Sequence, residues 1–115
     1  MKARIVRAAA VCFALASQPL PAAEQDPIAS RNLAASCFTC HGTDGNSVGG
    51  VPPSLAGRDR GELIQMLKDF KNGKRPATIM HQQAKGYTDE QLELIAGYFA
   101  RQKPAPTRTP SKAGS

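Results

Sequence analysis

The stretch Cys37-Phe38-Thr39-Cys40-His41 constrains the fold of this chain of 115 residues more than any other feature. It reads C-x-x-C-H, the attachment signature of a c-type haem. One edge of a haem carries two vinyl groups. Two thiols three residues apart on one turn of chain can each add across a vinyl, giving thioethers. The histidine that follows is then brought to the iron as its proximal ligand. Cys37 and Cys40 are therefore the expected covalent attachments and His41 the expected axial ligand. The competing uses of C-x-x-C are a zinc half-site, a redox-active dithiol and a structural disulfide. A zinc half-site needs a second ligand pair, and the only other cysteine and histidine are Cys12 and His81. A thioredoxin-like dithiol expects a βαβ setting, and no strand-rich run surrounds this motif. One motif and no internal repeat imply one haem c.

Residues 1–23 read as a cleaved export signal. Lys2, Arg4 and Arg7 form a positive n-region, Ala8 to Ala16 an apolar h-region, and the small residues up to Ala23 suit cleavage. The apolar run is too short to span a bilayer as a helix, so no membrane span is expected after cleavage. Cys12 lies inside the h-region behind Ala9-Ala10-Val11, a poor lipoprotein box, and is expected to leave with the signal. Export agrees with C-x-x-C-H, because bacterial c-type haem is attached outside the cytoplasmic membrane, and it predicts a periplasmic protein. That compartment permits disulfides, but both remaining thiols are consumed by haem. Loss of the three n-region cations lowers the formal charge from +6 to +3, and haem propionates lower it further. Nucleic-acid binding is not indicated. A solvated surface accounts for this balance, with a weak basic patch for an acidic partner as the alternative.

The expected domain runs over 24–102, followed at 103–115 by a Pro-rich basic tail expected to be disordered. A domain this small buries only about 60–65% of its unfolded surface, so the haem must serve as much of the core, and the apo chain is expected to be largely unfolded. Ile28–Ser36 reads as a helix with Pro27 near its first position. Four glycines between Gly42 and Gly50 suit a backbone lying close to a flat cofactor. The carbonyl of Pro53 is the candidate acceptor for the second ring N–H of His41, and Leu55 is expected to pack on the haem. Asp59 and Glu62 have capping-box spacing. Leu63, Met66, Leu67 and Phe70 then make an amphipathic face, closed by Asn72-Gly73. Lys74 to Gly86 reads as a loop. Thr88 to Gln91 is a second capping box, opening a helix whose apolar face is Leu92, Ile95, Ala96 and Phe99.

An electron carrier needs a six-coordinate iron in both oxidation states, so that the ligands barely move. The candidates for the sixth ligand are Met66, Met80 and His81. Met66 falls on the core stripe of its helix. Met80 lies 39 residues beyond His41, far enough for the chain to cross to the other haem face, and is the expected ligand. His81 is its direct competitor, since adjacent residues do not readily both ligate. An open sixth position would instead suit a gas-binding module or haem enzyme.

The order of these elements around Cys37-Phe38-Thr39-Cys40-His41 resembles a class I c-type cytochrome. The resemblance implies an all-α fold with crossing terminal helices wrapped around one covalently bound haem, and Met80 as distal ligand. A closer likeness covers Cys40 to Gly49, Ala77-Thr78-Ile79-Met80, Ala84 to Thr88 and Ala96-Gly97-Tyr98-Phe99. These stretches resemble the cytochrome subunit of flavocytochrome c sulfide dehydrogenase. In that family an FAD-containing subunit oxidises sulfide and passes electrons singly to the cytochrome, which has no catalytic residues of its own. Free carriers of the c4 and c5-like groups share the methionine loop and the terminal Tyr-Phe. That likeness implies the alternative, a freely diffusing carrier to an oxidase or reductase.

Overall fold

The computed structural model describes residues 26–106, and every regular element among them is helical. The expected export signal and positions 107–115 of the expected tail lie outside the described residues. Helix α1 (Pro27–Ala34) begins where the side chain of Asp26 accepts from the backbone N–H of Ile28 at 2.9 Å, with Pro27 just inside, where its missing N–H costs nothing. Ser30 and Ala34 are fully buried, and α1 packs against the last helix. A 3₁₀ turn (Ala35–Cys37) then feeds the short helix α2 (Phe38–His41), so the thiol motif lies on nearly continuous helical chain.

Gly42 stops α2 with φ +81°, and a Cβ there would lie 2.0 Å from the carbonyl oxygen of Asn46. Gly45 has φ +80°, and a Cβ there would meet the Phe99 ring at 2.6 Å. The close approaches that demand glycine at these two positions are thus made to backbone and to Phe99. The expected approach to a flat cofactor is not what fixes them.

Asp59 caps α3 (Arg60–Lys71) by accepting from the N–H of Glu62 at 2.8 Å. The reciprocal half of the expected capping box is missing, because the Glu62 carboxylate turns to Arg58 at 2.5 Å, where it gains an opposite charge. At the other end of α3, Lys68 reaches Glu93 at 2.9 Å and Lys71 reaches Asp89 at 2.7 Å, which ties α3 to the last helix.

The segment expected to be a loop from Lys74 to Gly86 contains a helix, α4 (Met80–Lys85). It was hidden because it is six residues long, has no side-chain cap at Ile79 and buries only Ala84. The run of Met, Gln, Ala and Lys nonetheless consists of good helix formers. Helix α5 (Asp89–Ala100) starts with the expected capping box, Thr88 and Gln91 each serving the other's backbone N–H. Leu92, Ile95, Ala96 and Phe99 are all buried and form the centre of the core. Tyr98 is buried as well, and its hydroxyl donates to Asp44 in the loop after the motif. Past α5 the chain returns to that loop: Asn46 donates to the carbonyl of Lys103 at 3.2 Å and accepts from the N–H of Ala105 at 2.6 Å. Residues 103–106, assigned by composition to the tail, are therefore tied to the domain.

Candidate functional site

Between α2, the 51–55 segment, α3, α4 and α5 lies a cavity of about 630 Å³. Its size suits a cofactor-scale ligand. Cys37, Cys40 and His41 line it from the motif, and Leu55, Leu63, Leu67, Phe70, Ile95 and Phe99 supply much of its apolar wall. Both cysteines are free thiols. Burial pushes the Cys37 thiol above its ordinary range, the hydrogen bond from Ser36 opposing this.

His41 is 7% exposed, and its Nδ1 lies 2.7 Å from the carbonyl oxygen of Pro53. A carbonyl only accepts, so Nδ1 carries the proton and Nε2 is the ring nitrogen left to ligate a metal. The acceptor expected from the sequence, 12 residues past the histidine, stands in this place. Proline suits it because its backbone can accept here but has no N–H to place.

Met80, at the first position of α4, lines the same cavity, together with Ile79, Thr78, Gln83 and Ala84. The adjacent His81 is not among the lining residues. Successive residues on a helix point about 100° apart, which separates the two candidates. Met66 lines the α3 wall, and its sulfur is engaged by the guanidinium of Arg58 at 3.8 Å. The fold thus gathers Cys37, Cys40, His41, Pro53 and Met80 around one space and leaves His81 outside it. Sequence reasoning missed Arg58 and Arg75, the two cationic side chains of the lining. No motif marks them, and only the folded chain brings them to the wall. It also missed Tyr87, which lines the cavity and bonds the Ser36 hydroxyl at 2.6 Å across 51 residues of sequence.

The donor set fits a haem. Two thiols one helical turn apart face the space, one imidazole nitrogen and the thioethers of Met66 and Met80 line it, and most of the remaining wall is apolar. An iron held there by one imidazole nitrogen and one thioether would need a macrocycle to complete its coordination. Among the described residues no group of three or more His, Cys, Asp and Glu side chains could hold a metal ion alone.

The family model described as "Cytochrome C oxidase, cbb3-type, subunit III" matches residues 27–99. The chain belongs to this cytochrome c family. The match brings with it haem c as the cofactor class, and the helical structure agrees with the class I cytochrome fold that the sequence resembles. Over 67 residues this cytochrome is 52% identical to the cytochrome subunit of sulfide dehydrogenase from Chlorobaculum tepidum, covering 58% of the chain and 60% of that protein. It is 41% identical over 78 residues to a cytochrome c4 of Pseudomonas aeruginosa, covering 68% of the chain and 39% of the relative. It is 32% identical over 81 residues to cytochrome c-554(548) of Halomonas halodenitrificans, covering 68% of the chain and 98% of that protein. The chain therefore spans less than two thirds of the first two relatives and nearly all of the third. The likeness to the sulfide dehydrogenase subunit seen in the motifs holds in this comparison.

Proposed function

We infer that this cytochrome is a periplasmic single-haem electron carrier. Its haem is held covalently by Cys37 and Cys40, and its iron is ligated by His41 and Met80. The observation that carries this reading is the convergence of those four side chains on one cavity, with His81 excluded from it. Bound there, haem c supplies a one-electron Fe(III)/Fe(II) couple. The chain's own residues set its character. Pro53 holds the Nδ1 proton of His41, which fixes the ring and strengthens Nε2 as a ligand. A methionine sulfur opposite histidine favours the reduced iron and raises the potential. The largely apolar wall would lower the polarity around the couple. With His41 and Met80 both placed to hold the iron, a bound haem would offer no position to a substrate, and the chain would transfer electrons without catalysing bond chemistry.

The donor in this reading is an FAD-containing sulfide dehydrogenase subunit. The Chlorobaculum relative, itself the cytochrome subunit of such an enzyme, supports it. The matching cytochromes c4 and c-554(548) favour a second reading, a freely diffusing carrier. Anaerobic pull-down of the haem-loaded chain from its host's periplasm separates the two. Retrieval of a flavin-bearing protein, with reduction of the haem by added sulfide, supports the subunit. Retrieval of the chain alone, with sulfide reducing it no faster than unrelated cytochromes, leaves the free carrier.

A further inference from the structure

We propose that Tyr87 is a positioning residue for the sixth ligand: its hydroxyl, bonded to Ser36, latches the end of the Met80 helix to the turn that carries the thiol motif. This rests on the reading of Met80 as that ligand. The hydrogen bond joins Tyr87 Oη to Ser36 Oγ at 2.6 Å across 51 residues of sequence. Its direction follows from the other bonds of Ser36. A serine hydroxyl has one proton. The two further partners of Ser36 Oγ are the Leu33 carbonyl at 3.2 Å and the Cys37 sulfur at 3.9 Å. Given to either, the proton leaves Oγ as the acceptor, so Tyr87 donates.

The two ends of this bond differ in how firmly they are held. Ser36 lies in the 3₁₀ turn between Ala34, fully buried on α1, and the short helix α2. Tyr87 directly follows Gly86, the cap of α4, and its backbone N–H still bonds the Ala84 carbonyl at 3.3 Å. Its backbone therefore moves with α4. The next residue, Thr88, caps α5, whose apolar face is locked in the core. Tyr87 is thus the joint about which α4 can swing, and Met80 lies about 10 Å back along helical chain from it.

Helix α4 packs on α3 and buries only Ala84, so little else restrains such a swing. The Tyr87 ring packs against the core, and its hydroxyl supplies the tie to the motif turn. A methionine that leaves the iron by a swing of α4 breaks this tie. One that leaves by rotation of its own side chain does not.

The test is an optical titration with imidazole of the ferric, haem-loaded chain and its variants, all carrying covalent haem. Imidazole is a neutral ligand that binds the iron where the sulfur has left. Its apparent affinity scales with the fraction of molecules whose sixth position is open. Tyr87→Phe keeps the ring and removes the hydroxyl, and should tighten imidazole binding about threefold, the effect of one partly exposed hydrogen bond. Ser36→Ala should do the same, and the double variant should do no more than either. Ser36→Thr restores a hydroxyl and should return binding to the wild-type level. Lys85, exposed on α4 and outside the cavity lining, gives the control Lys85→Gln. Changes for Tyr87→Phe and Ser36→Ala no larger than that for Lys85→Gln overturn the latch, as do effects that multiply in the double variant. Equal imidazole affinity in Met80→Ala and the wild type overturns Met80 as the ligand, and the assignment with it.

Discussion

The wall that carries His41 and the wall that carries Met80 are built in different ways. His41 is buried, hydrogen-bonded through its ring to Pro53, and followed by a loop pressed against α5 by Gly45 on Phe99 and Asp44 on Tyr98. Met80 opens a helix of six residues with no side-chain cap, one buried alanine, and a neighbour, Ile79, that is 54% exposed. The first wall has the more protein contacts of its own. The second packs on α3 but buries only Ala84, so a bond from Met80 to an iron would contribute a larger share of its order. A carrier would gain from this division, with His41 set by the fold and Met80 completing the site once the cofactor is in place.

The most severe way to break the comparison is to remove the cofactor. Cys37→Ser with Cys40→Ser should abolish covalent haem and lose both walls together, leaving little helical signal in far-UV circular dichroism. Retention of native helicity would show that the His41 wall stands without haem. Met80→Ala should leave the helices intact but open the sixth position, so that the reduced protein binds carbon monoxide and the potential falls. His81→Ala should leave the spectrum unchanged, and a spectral shift there would exchange the roles of the two residues.

Gly45→Ala tests the His41 wall alone. The new methyl meets Phe99 from a left-handed backbone, and chemical denaturation should show a loss of about 2 kcal/mol. Thr88→Ala removes the α5 cap, which supports both walls, for about 1 kcal/mol. The smallest effect is that of the α3–α5 ion pair. Its hydrogen bond from Lys71 holds the Asp89 carboxyl below its ordinary value of 3.8. A depressed carboxylate contributes stability that is present above that value and is lost as pH falls through the folded one. Comparing wild type with Asp89→Asn should therefore show a difference above pH 4 that vanishes in stronger acid.

What was legible in the sequence follows the same division. The motif, the Pro53 acceptor and the Thr88–Gln91 box are set by fixed local spacings; in the structure the Pro53 carbonyl lies against His41 Nδ1 and the box is closed. The α5 face was legible because its four apolar residues recur with helical period. Helix α4 was not, because six residues without a cap give no periodic signal, and its one buried residue is an alanine. Asp59 was recognised as a cap, yet the partner of Glu62 was not, since a nearby arginine competes with the backbone N–H and spacing alone does not weigh the two. The exclusion of His81 depends on which way a helix faces, and that is decided by the packing of α4 on α3.

The seam between α1 and α5 sets an order of events. These helices lie at opposite ends of the domain, so bringing them together closes a loop running from Ala34 to Asp89, at an entropic cost of about 3–4 kcal/mol. The thiol motif sits just past the first of them. Were the chain exported amino end first, it would present both thiols long before α5 emerged, and a haem could be fastened while the rest was still unformed. The seam is then the last joint to shut. The rate at which this cytochrome folds should follow how well α1 and α5 fit each other, with little dependence on the strength of the methionine bond.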